Sequence, residues 1–137
     1  MTEENVLYRI EDGVAVVTPN RPEKLNAVTP DMYPLLLSIC EEIKKDDAVR
    51  VAVVTGAGRA FCAGMDLSSE ESGSSEMRDH RMEQLKNASI ESRFSNWSFS
   101  TIPKPTICAI NGAAVGVGAE IPLHCDIRIT SESARFG

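Results

Sequence analysis

The sequence has no C-x-x-C pair, no strongly basic stripe and no unbroken apolar run of membrane-spanning length. Each absence removes a class of function. Cys40, Cys62, Cys108 and Cys125 are widely spaced, and three of them lie in apolar runs where a thiol behaves as a small hydrophobe. They are read as reduced core residues, not as a disulfide or zinc framework. His124 and Cys125 are adjacent, but no second pair faces them, so no metal is expected. The 14 basic residues are scattered among 20 acidic ones for a net charge of -6, and nucleic acid is not an expected partner. The most apolar window, 107–125, contains Asn111, Glu120, Pro122 and several glycines, so no membrane span is expected. The acidic first residues lack the basic and apolar regions of a signal peptide, and a cytoplasmic location is the expectation.

What is present is the composition of a folded domain. The 137 residues, 42% apolar and 25% charged, match one soluble domain by length and composition. The runs VLYRI (6–10) and VAVVT (14–18) are joined by Glu11-Asp12-Gly13, and Asp-Gly between two such runs is a hairpin signal. A loop rich in proline and asparagine follows at 19–26. Thr29, Pro30 and Asp31 then read as N-cap, first helical position and first-turn acid. Met32, Leu35, Leu36, Ile39 and Ile43 follow at helical spacing to about Lys45, with Pro34 the one residue that argues for a later start. The near-continuous apolar run at 49–55 suits a strand buried on both faces of a parallel sheet. The serine-rich stretch 68–75 reads as mobile, 76–97 as a helix, and 106–110 and 127–130 as short strands.

The stretch NGAAVGVGAE at 111–120 places glycines between a strand and a helix. Such a loop brings backbone N–H groups close to a ligand, and the helix start adds partial positive charge. The plainer alternative is that the glycines only permit close strand-to-helix packing. The spacing fits neither a dinucleotide nor a P-loop fingerprint, and no lysine follows to reach a phosphate. Glu120 would fall in the first helical turn, where the dipole favours its ionised form and burial among Val117, Ile121 and Leu123 would oppose it. The plainer alternative is a helix-start acid facing solvent.

The stretch RAFCAGMDL (59–67), with NGAAVGVGAE, Cys125-Asp126-Ile127 and RPEKLNA (21–27), resembles the crotonase superfamily, the enoyl-CoA hydratase and isomerase group. The resemblance implies an α/β chain of the ββα spiral type, with residues 1–137 forming one crotonase-like spiral domain. It implies an acyl-CoA thioester substrate, with coenzyme A carried by the substrate and no separate cofactor. By position, the backbone N–H groups of Met65 and Val117 would hold the thioester oxygen. Glu120 would activate water, and Lys24, Leu25, Ala27, Ala63, Asp66, Leu67 and Gly116 would line the substrate side. The expected activity is hydration of a 2-enoyl-CoA. An isomerase or a thioester hydrolase on the same fold is the first alternative, and a non-catalytic CoA-binding or assembly module the second. Valine at position 117, where the family usually has glycine or alanine, narrows the pocket, and Pro122 interrupts the helix that presents Glu120. The family's second glutamate and its helical region for trimer or hexamer formation would follow Gly137, so the resemblance implies a portion of a longer enzyme.

Overall fold

The computed structural model describes residues 4–68 and 98–137. Strands β1 (Val6–Glu11) and β2 (Val14–Pro19) form an antiparallel hairpin in which Glu11 faces Val14. Asp12 and Gly13 both take positive φ, 50° and 79°, the conformation that a two-residue turn requires to match strand twist.

Helix α1 (Met32–Lys45) returns the chain so that β3 (Val51–Thr55) lies parallel to β2, with Ala15 opposite Ala52. The helix begins two residues later than Thr29-Pro30 predicts. Asp31 is its N-cap and makes no side-chain capping bond. The later start puts Pro34 at the third helical position, where no intrahelical donor is needed, so its missing N–H costs nothing. Met32, Leu36, Cys40 and Ile43 form the buried stripe, whereas Leu35 points outward. Burying Met32 and Ile43 completely contributes about 1.5–3 kcal/mol each, enough to hold a helix that would be marginal alone. At its C-terminal end Lys104 donates to the carbonyls of Ile43 and Asp46, both at 2.6 Å.

Strands β4 (Thr106–Ile110) and β6 (Ile127–Thr130) extend the parallel sheet, giving the order β1-β2-β3-β4-β6. Along β2, β3 and β4 every second residue is buried and the others are half-buried, so β3 has one fully dry face rather than the two expected. The two-residue strands β5 (Ala113–Ala114) and β7 (Arg135–Phe136) pair parallel in a second small sheet, and α2 (Val117–Leu123) lies between β5 and β6. Ala15, Val17, Ala52, Val54, Cys108 and Ile110 share one core with the buried stripe of α1 and with Phe61, Phe99 and Ile121. All four cysteines are buried and free, as the apolar runs predict. The serine stretch beyond Ser68 and the helix expected over 76–97 lie outside the described residues.

Candidate active site

Three segments stack beyond the C-terminal ends of β2, β3 and β4. The middle one, 62–66, bonds to both neighbours. On one side the Ala63 amide donates to Leu25 O at 3.0 Å, Val28 N to Gly64 O at 2.7 Å, and Asp66 N to Val28 O at 2.9 Å. On the other, Cys62 N donates to Ala113 O and Val115 N to Cys62 O, both at 2.9 Å. The layers are so close that a methyl group on Gly118 would stand 2.1 Å from Cys62 O, and one on Gly112 2.0 Å from Arg59 O. Close packing, the plainer reading of the glycines, is therefore real at these two positions.

Two asparagines pin the turn between β3 and the middle segment. Asn26 is fully buried; its Nδ2 donates to Ala57 O at 2.8 Å and Ala60 O at 2.9 Å, while its Oδ1 accepts from Arg21 N. Asn111 reaches the same turn from the other side, accepting from Gly56 N at 3.0 Å and donating to the carbonyls of Gly56, Gly58 and Ala60. Both carboxamides thus meet on Ala60 O. Neither role was legible beforehand, although Asn26 at φ 57° belongs to the few residue types that tolerate a left-handed backbone.

Arg21 was also missed as a structural partner. Its guanidinium pairs with Asp66 at 2.9 Å and donates to Ala27 O at 2.7 Å, both groups being nearly buried. Hydrogen bonds from the Ser68 hydroxyl and amide, and then the Arg21 guanidinium, hold the Asp66 carboxyl down at about 2. Because the folded value lies below the ordinary one, this stabilisation is complete above about pH 4 and is lost as pH falls through about 2. In thermal melts from pH 5 to pH 2, Asp66→Asn is expected to lose less of its Tm than the wild type; equal losses would detach Asp66 from acid stability. With its carboxylate committed in this way, Asp66 shapes the loop from within.

The geometry of the middle segment isolates one amide. Val28 bonds to the residues on either side of Met65 in a parallel bridge, so Met65's own N–H is turned away from Val28. The opposite flank of the segment is occupied by 113–117. A methyl group built on Gly64 would lie 2.9 Å from Val115 O and 3.9 Å from Val117 N. Covalent geometry puts Met65 N about 3 Å from that point, so the two nitrogens stand within about 7 Å of each other. Val117 is the first residue of α2, where backbone donors have no intrahelical acceptor. The nearby amides of Val115, Gly116, Gly118, Ala119 and Glu120 are taken by loop and helix carbonyls; among the described residues no such bond uses the amide of Met65 or Val117.

The remaining predicted residues gather on the same three segments. Lys24 is exposed, Leu25 half-buried at φ 52°, Ala27 buried and Ala63 half-buried, while Leu67 projects outward at 83% exposure. Gly116, the N-cap of α2 at φ 54°, faces open space. Glu120 is exposed, which corrects the expected burial among Val117, Ile121 and Leu123. Ile121 and Pro122 take the core-facing side of α2, leaving Glu120 and Leu123, three residues apart, on its outer face. Pro122 does not end the helix, which continues to Leu123 as two short turns. The Cα–Cβ bond tilts toward a helix N-terminus, so the Glu120 side chain leaves the backbone in the direction of Val117, about 4.5 Å back along the axis.

The sequence matches the enoyl-CoA hydratase/isomerase family over residues 9–137. The chain belongs to that family. It is 37% identical over 136 residues to a 1,2-epoxyphenylacetyl-CoA isomerase of Escherichia coli, covering 97% of this chain and 50% of that protein. It is 39% identical over 134 residues to a short-chain-enoyl-CoA hydratase of Clostridium acetobutylicum, covering 97% and 49%. An enoyl-CoA hydratase/isomerase structure from Xanthobacter autotrophicus Py2 superposes with a TM-score of 0.82 at 33% identity, over 99% of this chain and 49% of that one. The crotonase-type α/β fold expected from the motifs is thereby established, and the chain spans about half the length of the curated relatives it matches. Among the described residues no helix is long and apolar enough to cross a membrane.

Proposed function

We propose that this family member acts on an acyl-CoA thioester, with the Met65 and Val117 amides sharing the thioester oxygen. The observation that carries the reading is the pair of amides, used by no surrounding loop bond among the described residues, on facing turns within about 7 Å. Two donors on one oxygen at ordinary N–H···O lengths stand up to about 6 Å apart, a separation that this limit allows. They stabilise the enolate-like charge that develops when C2 and C3 of an enoyl thioester react, and being main chain they need no particular side chain.

The reaction proposed is hydration of a 2-enoyl-CoA. Glu120 takes a proton from water as the water oxygen bonds to C3 and the electrons of the conjugated system move onto the thioester oxygen; a proton returned from Glu120 to C2 as the enolate collapses completes the addition and leaves the carboxylate ionised. Lys24, exposed beside Leu25 and Ala27, would meet a phosphate of the nucleotide end by simple charge attraction. The 37% identity to a protein named as an isomerase keeps enoyl-CoA isomerisation as a second reading of the same site. Incubation with crotonyl-CoA separates these. Loss of the conjugated enoyl absorbance without release of free thiol supports hydration. Thiol release without hydration, or activity confined to shifting a 3-enoyl double bond, overturns it.

A further inference from the structure

We infer that Tyr33 is a positioning residue of this site, its hydroxyl holding the Met65 thioether and thereby the turn that offers the Met65 amide; this rests on the acyl-CoA reading above. Tyr33 Oη donates to Met65 Sδ at 3.0 Å, joining residues 32 apart in sequence. The hydroxyl comes from a fixed place: Tyr33 is the second residue of α1, directly after the fully buried Met32, and packs against the core. Met65 sits half-buried after Gly64, whose φ of 98° marks a break in the extended segment, and its unbranched side chain has three rotatable bonds.

Backbone bonds fix the residues on both sides of Met65. Val28 holds Gly64 O and Asp66 N, but neither bond holds residue 65 itself. The side chain is the third point of attachment. With it tethered to α1, rotation of the 64–65 and 65–66 peptides is opposed, and the Met65 N–H keeps its aim at the side where Val117 lies. A thioether is a weak acceptor, so the tether tunes the donor's direction rather than the stability of the fold.

The test is a double-mutant cycle of Tyr33→Phe and Met65→Leu, each removing one partner of the O–H···S bond at nearly constant shape. Two readouts apply: kcat and KM for crotonyl-CoA, and the near-ultraviolet band of the enolate formed when a β-ketoacyl-CoA binds, which reports oxygen stabilisation without hydration. Tyr33→Phe is expected to lower kcat about 3- to 10-fold, the worth of one net hydrogen bond, with KM and Tm nearly unchanged and the enolate band weakened. In the Met65→Leu background the same change is expected to do nothing further. Additive losses, a Tm drop that accounts for the loss of activity, or wild-type behaviour in both readouts would overturn the assignment. Should Tyr33→Phe not fold, Met65→Leu alone must reproduce the weakened enolate band or the assignment falls. A wild-type protein that forms the enolate but does not hydrate fails the hydratase reading while leaving Tyr33 testable; one that does neither removes the amide pair and Tyr33's role together.

Discussion

If the chain hydrates an enoyl-CoA as proposed, Glu120→Gln is expected to lower kcat by about 10²- to 10⁴-fold, the range over which a positioned general base acts, with KM changed far less. Glutamine keeps the length and the helix-forming character of the side chain but cannot accept the proton from water. The position is exposed and its neighbours Ile121 and Pro122 hold the core, so the fold has no need of the carboxylate. Tm is therefore expected to stay within about 1–2 °C of the wild type, because surface substitutions away from such features usually change stability little. Steady-state hydration of crotonyl-CoA measures the effect. Unchanged kcat in a folded protein would make Glu120 an ordinary helix-start acid, the plainer reading of its exposure.

Gly64→Ala is the second large effect. Its φ of 98° is a backbone region that L-residues rarely adopt, and its new methyl would stand 2.9 Å from Val115 O and 3.9 Å from Val117 N. The methyl group would enter the gap between the facing turns and push them apart. Loss of one oxyanion donor costs about 10²- to 10³-fold in rate, and that is the expected drop in kcat/KM. Gly116→Ala is the natural comparison, because it also forces an alanine to positive φ, at 54°, while its methyl meets nothing within 4 Å. Both substitutions carry backbone strain, of order 1–3 kcal/mol each. Only Gly64→Ala also meets a carbonyl and fills the gap, so its loss of kcat/KM should exceed that of Gly116→Ala even after the difference in Tm is allowed for; equal losses would show that strain alone is responsible.

The parts of this molecule that were legible in its sequence are those governed by neighbours in the chain. Asp12-Gly13 between alternating runs specified its turn, and the apolar run before Thr55 specified a parallel strand, because both signals are local. The start of α1 was misplaced because Thr29-Pro30 is a good capping pair taken alone; only the helix as built shows Pro34 falling where a donor is not required. The motifs at 59–67 and 111–120 lie on loops that the structure brings side by side. What joins them was hidden. Asn26 bonds to residues 31 and 34 positions away, Asn111 to residues more than 50 away, and Arg21 to Asp66, so periodicity and spacing carry no trace of these pairs. The outward direction of Glu120 depends on which side of a seven-residue helix meets the core, and with apolar residues at 117, 121 and 123 the pattern did not decide it.

The central claim is that two amides meet on one oxygen, and a crystal structure of the protein with a bound, unreactive acyl-CoA analogue tests it most directly. The account predicts the thioester oxygen within about 3.2 Å of both Met65 N and Val117 N, with the Glu120 carboxylate turned toward C3. A thioester oxygen bonded to only one of these amides, or held elsewhere, would contradict it.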